Sequence, residues 1–283
     1  MKKITIGYIF YENRLRHDEK AFLKVAKKKG INLVLINAYK DLTEDELKDK
    51  IKDCDIIFDN SAENASLEIA KTVEELGKKV IETSKSFYYD EDKWMFFIKC
   101  QKNKIPTPRT ILLSENWKSI KKEIEDFGQW PVILKRVEGT CGEYVDKADN
   151  MREAEKIINR FWKKGSERLP IIAQEFIKTG ICYRATVIDG KIVQTAIKES
   201  KGWKQSGISV YSKKKFSVDK PLEEIIKRLN KAFKIDIYGV DLFRKDGKWI
   251  VLEINSAPAF DFFPKEQDKM VGFVLNFLKK KAK

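Results

Sequence analysis

The chain has 283 residues, 42% of them hydrophobic and 35% charged, so it is long enough for about two domains with substantial cores. A formal net charge of +14 and a pI near 9.3 favour anionic partners, such as nucleotides, nucleic acid or polycarboxylates, without choosing among them. The sequence has no apolar run of membrane-spanning length, and its basic N-terminus does not resemble a signal peptide. Its four cysteines include no CxxC pair, so we expect a cytoplasmic protein with reduced thiols.

The first 88 residues alternate between strand-like and helix-like segments. Strands are predicted at 3–10, 31–36, 55–58 and 79–82, and helices at 18–29, 43–52 and 62–76. Short connectors between alternating elements are typical of a parallel sheet with helices on both faces. Gly30 and Gly77 follow two of these helices, where a left-handed residue commonly ends a helix. The sequence therefore predicts a small doubly wound α/β domain over residues 1–88.

A proline-containing segment separates this region from the rest of the chain. A helix is predicted from Asp90 to Asn103, and Pro106 and Pro108 then favour an extended exit. The remaining predicted elements are strands 109–113, 131–136 and 170–176, helices 115–127 and 150–164, a hairpin 181–188/191–198, helix 220–233, strands 236–244 and 248–255, and a terminal helix from Lys265. This pattern indicates one or two further α+β units.

The last predicted hairpin carries three side chains with oxygen atoms. Asp241 lies in its first strand, and Glu253 and Asn255 lie two apart in the second strand, so the latter two face the same side of the sheet. Oxygen ligands of this kind are what Mg²⁺ takes in nucleotide sites. The alternative is a solvated sheet face with ordinary polar residues, although the apolar neighbours favour buried strands.

This hairpin, with GVDLF followed by LEINSAPAF, resembles the metal-binding strands of ATP-grasp ligases, and most of all those of the RimK-type amino-acid ligases. The resemblance implies that Asp241, Glu253 and Asn255 hold two Mg²⁺ ions, with Mn²⁺ able to substitute. It also implies a fold in which the doubly wound pre-ATP-grasp domain precedes a two-lobed α+β ATP-grasp fold. The small lobe would span residues 89–177, and the C-terminal lobe with the metal site would span residues 178–283.

Two lysines and a glycine loop resemble the phosphate-binding elements of the same family, in the same order. Lys93 opens the helix that leads into IPTPRT, and Lys135 lies in the strand PVILKR. Gly139 and Gly142 lie in the segment EGTCGEYV, which resembles the small loop that follows the second lysine. The resemblance implies that both lysines and this loop bind the ATP phosphates. Taken alone, a lysine in an apolar strand is more often an edge residue, and one glycine turn is a weak signal.

The segment Gln174, Glu175, Phe176 and Ile177 resembles the inter-lobe hinge, whose backbone reads the adenine edge while apolar side chains enclose the ring. Where the family has an acid for the ribose, this chain has Cys182, which leaves Glu175 as the nearest acid.

Three further basic residues are assigned by the same resemblance. Arg184 matches a strand arginine that would steady the transferring phosphoryl group. Lys198 is assigned to the nucleotide site, and Lys204 falls where the family has an arginine with a catalytic role, within a loop that otherwise departs from the family.

The resemblance implies an ATP-dependent carboxylate–amine ligase that proceeds through an acyl phosphate and adds an amino acid such as glutamate to a polyanionic acceptor. One alternative is another ATP-grasp ligase acting on an acidic carrier protein or a small peptide. Another is a basic nucleic-acid-binding protein, although no reader motif is visible. The expected partners are ATP, a carboxylate substrate and an anionic amine acceptor, with no membrane or nucleic acid. A homo-oligomer is also expected.

Overall fold

The computed structural model describes residues 3–40, 43–139, 142–164, 168–199, 202–204 and 214–283. Within these residues the strands form three sheets of four strands each. One sheet is parallel and the other two are antiparallel. Across the same residues, no helix combines the length and apolar character needed to cross a membrane.

The N-terminal sheet is parallel and has helices on both faces. Its strands are β1 (Thr5–Phe10), β2 (Asn32–Asn37), β3 (Ile56–Asp59) and β4 (Val80–Ile81), connected by helices α1 (His17–Lys28), α2 (Glu44–Ile51) and α3 (Asn64–Glu75). The strand order is β2-β1-β3-β4. Gly30 and Gly77 have positive φ angles of 65° and 78°, as expected after helix C-termini. The prediction of a doubly wound N-terminal unit is confirmed.

The helix predicted from Asp90 to Asn103 is in fact two helices, α4 (Ser84–Glu91) and α5 (Lys93–Lys102). Asp92 separates them, because its backbone is extended and its carboxylate accepts a hydrogen bond of 2.8 Å from the Met95 N–H. An aspartate in this role satisfies a backbone donor that would otherwise be unpaired at the start of α5. The domain boundary predicted at residue 88 falls inside α4 and stays a prediction.

The second sheet forms the small lobe. Its elements are β5 (Thr110–Leu112), α6 (Trp117–Phe127), β6 (Val132–Arg136), β7 (Val145–Ala148), α7 (Met151–Lys163) and β8 (Ile171–Glu175). The strand order β5-β8-β6-β7 makes β6 an interior strand, and both helices contribute apolar side chains to the core beside it. Strand β7 was not predicted from the sequence; it is short, and its side chains before Ala148 are only half-buried. Such a strand lacks a clear alternation of apolar and polar residues.

The third sheet forms the C-terminal lobe. Its elements are β9 (Ile181–Ile188), β10 (Lys191–Glu199), α8 (Lys220–Phe233), β11 (Ile237–Lys245) and β12 (Lys248–Asn255). The strand order is β10-β9-β11-β12. Asp189-Gly190 and Asp246-Gly247 have positive φ at both positions, which is the two-residue hairpin turn that matches the strand twist. Both hairpins were predicted.

The last helix, α9 (Gln267–Lys281), returns to the N-terminal domain. Its apolar side chains join α1 and β1 in one core cluster, which also includes Phe260 from the preceding loop. The C-terminal lobe and the N-terminal sheet are therefore held together through a shared core.

Glu82 provides a buried polar link between the same two parts. It is 3% exposed, and its Oε1 accepts hydrogen bonds from the N–H groups of Asp236 (3.1 Å) and Ile237 (2.7 Å), at the start of β11. Burial raises the pKa of this carboxyl to about 8, although the two backbone donors oppose the rise. The folded protein therefore holds a proton that the unfolded chain releases near pH 4.3.

We expect Glu82→Gln to flatten the pH dependence of stability. Because the folded-state pKa is raised, folding binds a proton between about pH 4.3 and pH 8, so wild-type stability falls across this window. Gln keeps an oxygen that can accept both hydrogen bonds and has no proton to lose. In urea unfolding from pH 5 to 9, wild type should lose up to about 4 kcal/mol relative to Glu82→Gln. Glu125→Gln, at an exposed position, is the control. If the free energies of unfolding of wild type and Glu82→Gln differed by the same amount at every pH, Glu82 would not be protonated in the folded protein.

Candidate active site

A row of charged side chains crosses the middle of the third sheet. Arg184 on β9 lies directly opposite Asp241 on β11, which in turn lies opposite Glu253 on β12. The Arg184 guanidinium holds the Asp241 carboxylate with two nitrogens, Nε on Oδ1 and Nη2 on Oδ2, the latter at 2.9 Å. A two-point contact of this kind fixes both groups in orientation.

Lys198 on β10 adds a second cation to the same carboxylate. Its Nζ lies 3.5 Å from Oδ2 of Asp241, and both side chains are buried. Burial alone would raise the pKa of Asp241, but the charges of Arg184 and Lys198 outweigh burial and lower that pKa to about 2. Asp241 is therefore ionised at any physiological pH.

Glu253 and Asn255 lie beside this cluster on β12. Burial and the neighbouring Asp241 charge raise the pKa of Glu253, and a hydrogen bond between the two carboxyls favours ionised Asp241. The Nδ2 atom of Asn255 is buried without a hydrogen-bond partner among the described residues. This amide nitrogen is a hydrogen-bond donor and does not bind a cation, whereas the two carboxyls supply oxygen donors of the kind that a divalent cation takes.

The metal assignment depends on Asn255 as much as on the carboxylates. Within the described part of the chain, no three His, Cys, Asp or Glu side chains are grouped in a way that could hold a metal ion. Asp241 and Glu253 would therefore need the Asn255 amide oxygen as a third protein ligand, which is the set predicted from the sequence.

The two predicted phosphate lysines, Lys93 on α5 and Lys135 on β6, both act electrostatically on Glu253 of this cluster. Lys135 lies on the interior strand β6 and is only 6% exposed, so the alternative of an edge lysine is wrong. Burial lowers its pKa to about 8, with Glu253 opposing and Lys93 reinforcing that shift. Lys93 donates from Nζ to the carbonyl oxygens of Gly139 (2.7 Å) and Val137 (3.4 Å). Glu253 thus lies within electrostatic range of cations from both lobes.

The glycine loop adopts the conformation that only glycine takes readily. Gly139 and Gly142 have φ angles of 132° and 68°, and a side chain at Gly139 would come within 3.2 Å of Tyr144. Residues 140 and 141, between them, lie outside the described residues. The backbone of Gly139 is tied to Lys93, so the loop and the lysine form one unit.

A pocket with an empty volume of about 440 Å³ opens between the two lobes. Six of its lining residues were predicted to bind the nucleotide or to act in catalysis, namely Lys135, Gln174, Glu175, Phe176, Ile177 and Lys204. Five others were not predicted: Ile133, Val145, Trp203, Phe243 and Leu252. Most of the lining side chains are therefore apolar and two are lysines. Apolar side chains can contact the faces of a base, and lysines can pair with the phosphates attached to it.

The hinge side chains of this pocket are already engaged elsewhere. Gln174 donates from Nε2 to the hydroxyl of Thr110 at 2.9 Å. Glu175 forms an ion pair with Lys245 and accepts a hydrogen bond of 3.2 Å from the Arg109 N–H. A role for Glu175 at the ribose would therefore compete with Lys245, and it stays a prediction.

Cys182 stands in the position that the resemblance gives to an acid. It lies opposite Lys198 in the strand register and is fully buried. Burial raises the pKa of its thiol, so Cys182 is neutral and supplies no negative charge to Lys198.

Comparison with known proteins agrees with this geometry. Residues 90–271, more than half of the chain, match the family model of the RimK-like ATP-grasp domain. The chain belongs to the RimK-like ATP-grasp family. A coenzyme γ-F420-2:α-L-glutamate ligase from Methanococcus maripaludis is 28% identical over 68% of this chain and 68% of its own length. A probable α-L-glutamate ligase from Psychromonas ingrahamii is 30% identical over 76% of this chain and 72% of its own length.

Solved structures show the same fold over nearly the whole chain. A RimK domain ATP-grasp protein from Sphaerobacter thermophilus superposes with a TM-score of 0.76 at 18% identity, covering 97% of this chain and 99% of that protein. A D-alanine–D-alanine ligase from Bacillus anthracis gives a TM-score of 0.71 at 18% identity, with 99% and 98% coverage. The predicted ATP-grasp fold is confirmed, and this chain is an ATP-dependent ligase that forms carbon–nitrogen bonds.

Gly239 gives this RimK-like ligase the space that Arg184 needs. A side chain at Gly239 would overlap the Nη1 atom of Arg184 and come within 3.3 Å of its Cδ. Because Asp241 holds two other nitrogens of that guanidinium, the arginine has little freedom to move aside.

We expect Gly239→Ala to lower kcat by about tenfold to a hundredfold, because a displaced arginine no longer stabilises the charge of the transition state. Steady-state kinetics should show a smaller change in KM for ATP. Gly180→Ala is the matched control, since a side chain there meets no atom within 4 Å. Equal kcat values for both variants would contradict a positioning role for Gly239.

Proposed function

We propose that this protein activates the carboxylate of an anionic substrate, here called the acceptor, and joins it to the amine of an amino acid of the glutamate type, with Mg–ATP as the energy source. The anionic partner predicted from the sequence was the amine acceptor; in this proposal it is the substrate that supplies the carboxylate. The observation that carries the proposal is the convergence of Lys93, Lys135 and Arg184 on the Asp241–Glu253 pair beside the inter-lobe pocket. The names of the relatives, which describe glutamate ligases, support the choice of amino acid.

In the first step, an oxygen of the acceptor carboxylate forms a bond to the γ-phosphorus of ATP, and the bond to the β–γ bridging oxygen breaks to release ADP. Negative charge then spreads over the phosphoryl oxygens. Lys93 and Lys135 would hold the phosphates, and Arg184 would keep the γ-phosphoryl group in line. Lys198 would keep Asp241 ionised, and Lys204 would contribute charge at the glycine loop.

In the second step, the amine nitrogen of the amino acid attacks the acyl carbon, the bond from that carbon to the phosphate oxygen breaks, and the amine loses a proton to solvent or phosphate. Asp241, Glu253 and Asn255 would hold the divalent metal, either Mg²⁺ or Mn²⁺, which would neutralise phosphate charge.

The direct test is ADP release by the purified enzyme with glutamate and fractionated anionic metabolites or peptides, with products identified by mass. A product heavier than its acceptor by one glutamyl residue would support the proposal. ATP turnover with other amine substrates but never glutamate would favour a ligase that acts on an acidic carrier protein or a small peptide. Salt-sensitive oligonucleotide binding without any ATP turnover would favour the nucleic-acid alternative.

We expect the KM for an anionic acceptor to rise with ionic strength more than the KM for Mg–ATP, since exposed charges are screened over about 8–10 Å. Lys214 and Lys215 lie beside the C-terminal lobe in ion pairs with Glu199 (2.9 Å) and Glu266 (2.5 Å). Replacing both lysines with Gln should raise the acceptor KM and weaken its salt dependence. An acceptor KM that ignores both salt and this change would contradict an anionic acceptor. Lys201 and Lys213, which are neighbours in the sequence, lie outside the described residues.

We also propose a cytoplasmic location, which is supported by the unpaired, buried thiols of Cys54, Cys100 and Cys182. The predicted homo-oligomer stays a prediction, which light scattering after gel filtration can test.

A further inference from the structure

The loop after β10 contributes an aromatic side chain to the inter-lobe pocket. Trp203, half-buried, lines the pocket together with Phe176 and Ile177 from the hinge. The sequence predicted no role for Trp203, and among the described residues of this loop, Trp203 and Lys204 line the pocket.

Lys204 holds this segment against the small lobe. Its Nζ donates to the carbonyl oxygen of Gly142 in the glycine loop and lies 3.4 Å from the carbonyl oxygen of Val145 at the start of β7. The side chain next to Trp203 is therefore anchored to the same loop that would bind the phosphates.

The remaining walls explain what such an aromatic side chain can do. Ile133, Phe176, Ile177, Phe243 and Leu252 make the pocket predominantly apolar. The side chains of Gln174 and Glu175 are engaged by Thr110 and Lys245. A purine can therefore gain most of its side-chain binding energy here from contacts with its ring faces, and an indole offers the largest flat apolar surface of any side chain.

We infer that Trp203 forms a wall of the base-binding slot, so that the segment 202–204 belongs to the ATP site. This inference rests on the proposed ATP-dependent function. Trp203 contacts the purine, and Lys204 positions Trp203 while its charge lies near the phosphates.

The test separates the base from the phosphates. Calorimetric titration, without acceptor, gives the Kd of Mg–ATP and of magnesium tripolyphosphate for wild type, Trp203→Leu and Trp203→Phe. Stacking of a base on an aromatic side chain is worth enough that its loss raises Kd about tenfold or more. We expect that rise for ATP in Trp203→Leu, a smaller rise in Trp203→Phe, and no change for tripolyphosphate in either variant. Trp130→Leu is the matched control, because Trp130 is 40% exposed and does not line the pocket.

Two results would overturn the inference while the proposed function stands. In the first, Trp203→Leu binds ATP as wild type does. In the second, ATP and tripolyphosphate lose affinity equally, which would mean that Trp203 acts only by placing the loop. A wild-type protein that binds no Mg–ATP would overturn the proposed function as well. Thermal unfolding of each variant shows whether it is folded, and Trp203→Phe keeps an aromatic ring if Trp203→Leu does not fold.

Discussion

Glu253→Gln should lower the rate of ligation by roughly a thousandfold and cost less stability than the loss of Asp241. Burial and the charge of Asp241 raise the pKa of Glu253, so the folded protein disfavours the charge that Gln removes. Gln can also keep a hydrogen bond to Asp241. It cannot become the negatively charged ligand that a divalent cation requires, and loss of metal-assisted charge neutralisation is worth several kcal/mol.

Asp241→Asn should lose activity to a similar extent but also lose stability. Asp241 is fully buried and neutralises Arg184 and Lys198, so its removal leaves two buried cations without a partner. Breaking a buried ion pair from one side typically costs about 3–5 kcal/mol. Chemical unfolding of both variants, beside exposed Glu125→Gln, measures this contrast. Full activity in Glu253→Gln would remove the metal assignment, and a Glu253→Gln protein as unstable as Asp241→Asn would contradict the expected difference between the two carboxylates.

Strand periodicity predicted that Glu253 and Asn255 share a face, whereas their assignment with Asp241 as metal ligands came from the resemblance to ATP-grasp ligases and stays a prediction. The spacing of two between Glu253 and Asn255 placed them on one face, and the structure keeps that arrangement. The sequence could not show that Asp241 lies directly opposite both Arg184 and Glu253. That register depends on pairing between strands that are far apart in the chain, and on an irregularity between Asp241 and Leu242 that shifts the last part of the hairpin.

The environment of Lys135 and the position of Trp203 also could not be predicted from the sequence. An apolar strand with one lysine can lie at an edge or in the interior, and only the order β5-β8-β6-β7 makes β6 interior. Ile133 could have been predicted to join Lys135 in the pocket, because residues two apart on a strand share a face. Trp203 lies in a loop without periodicity, and contacts of that kind follow from the tertiary structure alone.

The burial of Lys135 should make ATP binding depend on pH in the alkaline range. Its pKa in the free protein is about 8, so the ammonium form that attracts phosphate becomes scarce above that pH. At such pH values, ATP binding would require Lys135 to take up a proton from solvent. For one such group the Kd of ATP should approach a tenfold rise for each pH unit above about 8.

Lys135→Met should show the reverse balance between stability and binding. The folded-state pKa of Lys135 lies below that of an unfolded lysine, so wild-type stability should increase as pH rises from about 8 to about 10.4. Met has no charge, so the variant should show neither this increase nor the free-energy cost of burying a charge. The variant should therefore be at least as stable as wild type at pH 7, and its Kd for ATP should be roughly a hundredfold higher, since a hydrogen bond to a charged group is worth about 1.5–3 kcal/mol. Its Kd should also lose the rise above pH 8.

Calorimetric titration of ATP between pH 7 and 9.5, with proton uptake measured in two buffers, would check this directly. If wild type and Lys135→Met follow the same pH curve, Lys135 does not carry the proton that ATP needs, and the lysine at the phosphates would have to be Lys93 alone.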